Sequence, residues 1–167
     1  AGGGGVWNYL VPAGNGLFIE LSIKMEIVPG ENAVLVTILR QSCNAPKRLP
    51  DNVPVRVIIR TDIEDRNFHC VTKAAQGPEF YWPGRIAAKP RSFEFHAADD
   101  RILSIQASKG MFTRKDQWQY MNWMEKEASR GLDPHSDLFS PGAFSMQLSG
   151  GEEAYRAGQV LTSESQT

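Results

Sequence analysis

The chain has 167 residues and a mass of 18.6 kDa, which is typical of one domain that buries a substantial core. Hydrophobic residues make up 41%, charged residues 22%, and the net charge is −1. This balance is typical of a globular protein and excludes the disordered class. It also favours neither a nucleic-acid partner nor an anionic membrane. No apolar run approaches the roughly 20 residues that cross a bilayer.

Apolar residues that alternate with polar ones predict a series of strands. The clearest case starts at Leu17, from which every second residue up to Ile27 is apolar. The preceding Asn15-Gly16 pair predicts a hairpin that joins this strand to a first strand at 6–11. A turn at 29–32 then leads to further predicted strands at 33–40, 53–60, 92–96, 101–107, 111–120, 143–148 and 154–161.

The segments between these strands are predicted to be mostly loops. Residues 41–51 contain two prolines and form one such loop. We interpret 61–72 as a turn with a short strand, and 73–90, which is rich in Pro, Gly and aromatic residues, as a loop with one short strand. Pro54 has no N–H to donate, so the start of the strand at 53–60 should lie at an edge or a bulge.

Many short strands and little helix predict an all-β fold, an antiparallel β-sandwich with one buried face per sheet. A short helical turn is expected near 122–130. We expect a single domain over 1–161, with 162–167 as the start of a linker. The chain begins with AGGGG, which has neither the basic nor the apolar region of a signal peptide and no initiator Met. The chain is therefore expected to be an excised piece.

The two cysteines, Cys43 and Cys70, are not in a CxxC spacing, so we expect no zinc site. Both are expected to be free thiols, and a single bridge between them is the alternative. The sequence contains no HExxH, no Gly-rich phosphate loop and no nucleophile elbow. We expect neither a metal nor a cofactor.

The densest set of ionisable residues lies in a polar loop predicted from 131 to a turn at Pro141-Gly142. Long polar loops in compact domains are often functional or form interfaces. Carboxylates and guanidinium groups can bind sugar hydroxyls, whereas the structural alternative is a loop held by its own salt bridges and Asx turns. The residues concerned, in and just before this loop, are Glu127, Arg130, Asp133 and Asp137.

Two carboxylates can also act as the acid and the base of glycoside hydrolysis. Glu127, Asp133 and Asp137 are available for this, but so are 16 other acidic residues among the 19 in the chain. Spacing along the chain does not give their separation in space. We expect no catalytic residue in this chain.

A second candidate segment, DRNFH at 65–69, follows a predicted strand. Arg66 and His69 could bind a ligand there, although a histidine in this setting is more often a hydrogen-bonded structural residue.

Five aromatic residues could form a platform for sugar rings, because aromatic faces pack well against the apolar faces of such rings. At strand spacing, Trp118 and Tyr120 are more often core residues. Trp123 is expected to be exposed, and Tyr81 and Trp82 are the other two candidates.

The stretch from Trp123 to Phe144 carries the pattern WxxxExxRGLDxxxDLxxPGxF. This pattern resembles the N-terminal domain of the glycogen debranching enzyme family of the prokaryotic amylo-α-1,6-glucosidase type. DRNFH at 65–69 and GENAV at 30–34 are similar to two earlier family segments, in the family's order. The chain has Trp123 where the family usually has Tyr, Ser136 where it has Glu and Asn67 where it has Asp. It also lacks the family's opening segment, so it resembles a trimmed part of that domain.

The resemblance implies a large, supersandwich-like β-sandwich that precedes a helical catalytic domain. That second domain carries the glucosidase carboxylates, and the whole enzyme hydrolyses α-1,6 branch bonds of glycogen or a related α-glucan in the cytoplasm. We therefore expect the chain alone to be inactive, with the C-terminal helical catalytic domain as its partner and an α-glucan as a further contact. The candidate substrate-binding or interdomain residues are Arg66, His69, Trp123, Glu127, Arg130, Asp133 and Asp137.

Two other functions compete with this one. A free-standing carbohydrate-binding module would need an exposed aromatic platform at Trp123, Tyr81 or Trp82. A structural sandwich without a link to sugar would show a large apolar patch without convergent polar groups.

Overall fold

A computed structural model describes residues 3–162 of the chain. This part is all-β, with ten strands and two short α-helices. The strands are β1 (Gly4–Gly14), β2 (Leu17–Ile27), β3 (Ala33–Arg40), β4 (Val55–Arg60), β5 (Ile86–Lys89), β6 (Ser92–Ala98), β7 (Arg101–Ala107), β8 (Met111–Trp123), β9 (His135–Leu148) and β10 (Glu153–Thr162). The helices are α1 (Pro78–Tyr81) and α2 (Glu125–Ser129), and 3-10 turns at Ala74–Gln76 and Pro83–Arg85 flank α1.

The strands form two antiparallel sheets that pack face to face. The larger sheet has seven strands in the order β1-β2-β3-β10-β7-β6-β5, and the smaller has three in the order β4-β9-β8. Phe112 of β8 packs on Phe93 of β6 with ring centroids 5.0 Å apart. At the other side, Arg40 of β3 donates a hydrogen bond to the carbonyl of Val53, just before β4, at 2.5 Å. The small sheet therefore extends from β6 to β3, and the predicted sandwich is confirmed.

The core lies where the two sheets face each other. Its fully buried side chains include Phe93 and Phe95 from β6 and Phe139, Phe144 and Leu148 from β9. Alternation along β6 places Phe93 and Phe95 on one face, and alternation along β9 does the same for Phe144 and Leu148. Burying a side chain of this size contributes about 1.5–3 kcal/mol.

Arg40 is a charged residue inside this apolar framework, with 1% of its surface exposed. Its guanidinium group donates to four backbone carbonyls, those of Val53, Leu148, Leu49 and Pro50, at 2.5–3.2 Å. The planar group offers five donors in a fixed arrangement, and it fastens the loop 41–54 to the sandwich.

The period-two pattern located most strands within a few residues. The hairpin at Asn15-Gly16 is present, and both residues have the positive φ angles, 50° and 71°, that such turns need. β4 is an edge strand of the small sheet and begins directly after Pro54. The predicted helical turn is α2, which is followed by Gly131 at φ 73°, a left-handed residue typical of a helix end.

Three loop assignments need correction, and the first two concern neighbouring segments. The short strand predicted in 61–72 is wrong, since only Ile63 forms an isolated bridge there, to Phe139. The segment 73–90 is not simply a loop with a strand, because three short helical turns precede β5.

The predicted polar loop that ends in a turn at Pro141-Gly142 is also wrong. β9 begins at His135 and continues through both residues, which are buried. Pro141 is tolerated in this central strand because the neighbouring ladders are interrupted around it. β4 ends opposite Ala143, and the register of β8 shifts between Arg114 and Gln117. Gly142 is needed because a Cβ atom there would collide with the backbone of β8.

Both cysteines are free thiols; Cys70 is exposed and Cys43 half-buried. The predicted linker at 162–167 lies, apart from Thr162 at the end of β10, outside the described residues. Within residues 3–162, no helix has the length and apolar character needed to cross a bilayer.

Candidate functional site

Three segments that are distant in sequence meet where β8 ends and β9 begins. We call this region the convergent end and define it by residues 64–74, 121–130 and 133–137. Backbone hydrogen bonds join the segments, from Asp137 to the carbonyl of Thr72 at 2.9 Å and from Met124 to that of Pro134 at 2.7 Å. All seven candidate residues predicted from the sequence lie in this region.

Asp137 is a buried anchor of the convergent end, with 7% of its surface exposed. Its carboxylate accepts the backbone N–H of Ala74 at 2.8 Å and that of Met121 at 2.9 Å. Met121 has a φ of 58°, which non-glycine residues rarely adopt, and it lies where the register of β8 shifts. Hydrogen bonds to a charged group contribute about 1.5–3 kcal/mol each, so Asp137 fixes the backbone around it.

Glu64 and Ser136 form a second internal network. The fully buried hydroxyl of Ser136 accepts the N–H of Thr72 at 2.9 Å and donates to Glu64. The other carboxylate oxygen of Glu64 pairs with Nε of Arg66 at 3.2 Å. Arg66 also donates to the carbonyl of Cys70 at 2.7 Å. Arg66 therefore holds the 66–70 turn in place, and only 19% of its side chain is exposed.

Glu127 and Arg130 are paired across one turn at the end of α2. The carboxylate of Glu127, a residue with 9% exposure, lies 3.7 Å from the guanidinium of Arg130. The guanidinium of Arg130 also lies over the ring of Phe68, 5.4 Å from its centroid. An exposed cation–π contact of this kind contributes about 0.5–1 kcal/mol. It places an exposed aromatic ring beside a half-exposed cation.

Asp133 is held by neighbours that favour its charged form. It accepts the backbone N–H of His135 at 3.0 Å and pairs with Nζ of Lys73, also at 3.0 Å. These two interactions lower the pKa of the Asp133 carboxyl below its ordinary value. A general acid at neutral pH needs the opposite shift, so Asp133 does not suit that role.

Trp123 and His69 are the exposed aromatic candidates. Trp123 is 61% exposed, as predicted, and its ring meets that of His135 edge-on at 5.2 Å. His69 is exposed, its ring packs edge-on against Phe68 at 5.0 Å, and its backbone N–H donates to the side chain of Asn67.

The other predicted platform residues separate into buried and exposed rings. Trp82 is not available to a ligand, because it is 7% exposed and lies between Phe95 and Trp118. Trp118 packs against the core, as predicted. Tyr120 does not: it stacks outside Trp118 at 6.4 Å and is 56% exposed. The core position was wrong for Tyr120 because it stands at the register shift of β8, beyond the covered part of the strand.

The hydroxyl of Tyr120 donates a hydrogen bond to Glu79 of α1 at 2.5 Å. This bond to a carboxylate raises the pKa of Tyr120. Tyr81, at the end of the same helix, is 69% exposed. Tyr120 and Tyr81 therefore remain available at the surface.

A comparison with protein families identifies the family to which the chain belongs. Residues 4–155 match the family described as glycogen debranching enzyme N terminal. The chain belongs to this family. No curated protein matched it.

In this glycogen debranching enzyme N-terminal domain, sequence reasoning missed two members of the convergent end. Phe68 was noted only as part of a motif, although its 62% exposed ring carries the contact with Arg130. Ser136 was noted as a departure from the family pattern, and burial shows that it is part of the internal network. The apolar side chain of Phe68 among charged neighbours was the one available signal.

The convergent end of this debranching-family domain presents aromatic rings and hydrogen-bond donors at its surface. Four of its carboxylates, those of Glu64, Glu127, Asp133 and Asp137, are already engaged by the contacts above. Within residues 3–162, no group of three or more His, Cys, Asp and Glu side chains is arranged to hold a metal ion. The exposed groups suit the faces and hydroxyls of sugar rings, or the surface of another domain.

Proposed function

We propose that this chain is the non-catalytic β-sandwich domain of a glycogen debranching-type α-1,6-glucosidase. The observation that carries the proposal is the engagement of its carboxylates. Asp137 faces backbone N–H groups, Asp133 has a lowered pKa, and Glu127 is buried against Arg130. A pair that hydrolyses a glycosidic bond needs one carboxyl that holds a proton and another free to act as nucleophile or base. The hydrolytic carboxylates then belong to the helical catalytic domain.

The convergent end is the surface that meets the catalytic domain and forms one rim of its glucan cleft. Phe68, Trp123 and Arg130 supply contact groups, and His69 adds a donor beside them. Asp137 and Arg66 contribute indirectly, because their hydrogen bonds fix the backbone that carries these groups.

A free-standing carbohydrate-binding module is the second candidate. It is favoured by the exposure of Trp123 and Tyr81, 61% and 69%. A sugar ring can stack on an exposed aromatic side chain without contact from a second domain. The structural sandwich without a sugar link ranks behind both, because aromatic and polar groups converge on one surface.

Calorimetric titration of the chain with glycogen and maltooligosaccharides separates the two candidates. Trp123→Ala removes the exposed ring of the convergent end, and Trp7→Ala removes another exposed tryptophan, 47% exposed, on β1. For the non-catalytic domain we expect weak or undetectable binding in all three proteins. Clear binding that is lost in Trp123→Ala and kept in Trp7→Ala would favour the binding module.

A further inference from the structure

The small sheet covers only part of the inner face of the seven-stranded sheet. β8 lies over β6, as the Phe112–Phe93 contact shows. β9 lies over β10, since the guanidinium of Arg156 stands 4.6 Å from the ring centroid of Phe144. β4 lies over β3, where Arg40 reaches the carbonyl that precedes the strand. β2 and β1 come after β3 in the large sheet, so they lie beyond the last strand of the cover.

Along each row of paired residues, side-chain exposure increases from β3, which the small sheet covers, to β2 and β1, which it does not. Ile38 of β3 is 4% exposed, its neighbour Ile23 of β2 is half-buried, and Trp7 of β1 is 47% exposed. Met25 and Ile27 of β2, on the same face, are 42% and 57% exposed. The outer face of β2 is different, with Phe18, Glu20, Ser22, Lys24 and Glu26.

A groove lies on this uncovered apolar face. Its volume is about 360 Å³, and its lining residues are Gly3, Gly4, Gly5, Trp7, Met25, Ile27 and Val34. Contiguous exposed apolar surface of this kind marks an interaction site in globular proteins. It is also continuous with the sandwich core through Ile23 and Val36, which pack against that core.

The small sheet has an edge strand, β4, on the side of this apolar face. Among residues 3–162, β4 pairs with β9 alone, so its other edge offers backbone groups from Val55 to Arg60 that pair with no strand of this part of the chain. Such an edge is a template for another strand. A strand placed there would lie over β2 and β1, because the small sheet extends in that direction from β6 to β3.

A buried cation lies under the small sheet, beside the end of its edge strand β4. Arg156 is 9% exposed, belongs to the same row as Val36 and Met25, and donates to the hydroxyl of Thr61, the residue after β4. Among residues 3–162, no carboxylate forms an ion pair with it. Burial lowers the pKa of Arg156 to about 10, since no negative charge compensates the loss of water.

We propose that an extended amphipathic strand pairs with the free edge of β4, covers the inner face of β1 and β2, and places a carboxylate against Arg156. Its inward side chains are apolar at every second position, which is the spacing that fits Trp7, Met25 and Ile27. This site lies at the edge of the small sheet opposite to β8 and the convergent end, so it is independent of the proposed glucosidase role.

The test is a selection of twelve-residue peptides from a displayed random library on the full chain, followed by binding measurements on two variants. Ile27→Ser changes an inner-face residue that is 57% exposed, and Leu10→Ser changes an outer-face residue of β1 that is 55% exposed. Circular dichroism checks that both variants keep the fold. Amide hydrogen exchange then locates the bound peptide.

We expect selected peptides with alternating apolar residues and one Asp or Glu at a constant position. They should bind Ile27→Ser about tenfold or more weakly and Leu10→Ser within about twofold, because only Ile27 would be covered. Replacing the peptide's acidic residue by its amide should weaken binding about tenfold, since a hydrogen bond between charged groups would be lost. The amides of β4 should become protected.

Four outcomes would overturn the proposal: no selected peptide, peptides without alternation, equal binding to Ile27→Ser, or protection elsewhere than β4. Sedimentation of the chain without peptide tests a second copy as the occupant. Self-association that Ile27→Ser abolishes would show that another copy covers the face, and the strand proposed above would then be wrong.

Discussion

Asp137→Ala is expected to destabilise the chain strongly, although the substitution removes only a carboxylate from the end of one strand. The carboxylate is buried and accepts the backbone N–H groups of Ala74 and Met121 at 2.8 and 2.9 Å. With alanine at this position, the buried N–H of Ala74 and the partly buried N–H of Met121 would lose their acceptor. The backbone around Met121, held at φ 58°, would also lose its restraint.

The magnitude follows from these two bonds. A hydrogen bond to a charged group contributes about 1.5–3 kcal/mol, and a buried donor left without a partner costs about 1–3 kcal/mol. Because the loop can relax and admit water, we expect a loss of about 3–5 kcal/mol for Asp137→Ala rather than the full sum. Asp137→Asn keeps one acceptor oxygen and should lose about 2–3 kcal/mol.

Urea unfolding followed by tryptophan fluorescence measures these values directly. The control is Asp99→Ala, which removes a carboxylate whose side chain is fully exposed and should change the free energy of unfolding by less than about 0.5 kcal/mol. If Asp137→Ala stayed within about 1 kcal/mol of the wild type, the carboxylate would not hold the convergent end together.

Three further predictions concern stability. Arg40→Lys should destabilise the chain by about 2–4 kcal/mol in urea unfolding, because a single ammonium group cannot reach four carbonyls; unchanged stability would contradict this. Trp118→Ala should cost about 2–3 kcal/mol, whereas Tyr120→Ala, two residues further on the same strand but exposed, should cost less than about 1 kcal/mol; equal losses would refute the placement of the two rings. Asp133 has a folded pKa below the ordinary 3.8, so its contribution to stability is present above that pH and is lost as the pH falls through the folded value. Unfolding measured from about pH 5 to about pH 2.5 should therefore show a smaller loss for Asp133→Asn than for the wild type, and identical profiles would contradict the pairing with Lys73.

The strands were predictable because period-two alternation follows directly from one buried face per sheet. It located β2 and β3 closely, and the turn at Asn15-Gly16 needed only the local φ angles of its residues. β9 was partly missed because Pro141 and Gly142 are turn residues by composition. They are accepted in a central strand only where both neighbouring ladders are interrupted, and that depends on the register of other strands.

The sequence predicted where the candidate site lies, but it did not predict the role of each residue in it. The charged stretch indicated where the convergent end would be, but the partner segment at 64–74 joins it through tertiary hydrogen bonds. Asp137 and Arg66 were candidates for contact with a ligand, but both side chains form hydrogen bonds within the domain. Burial separates such anchors from exposed groups such as Trp123, and sequence spacing carries no information on burial at single polar positions.

The most direct test of the proposed non-catalytic role is an assay of glucose release from a branched limit dextrin by the purified chain. The proposed role predicts no release above the buffer control at any concentration of the chain, because in that role the hydrolytic carboxylates would belong to a separate helical catalytic domain. Release that scales with the concentration of the chain and is abolished in Glu127→Gln or Asp133→Asn would contradict it and would place the hydrolytic carboxylates in the convergent end.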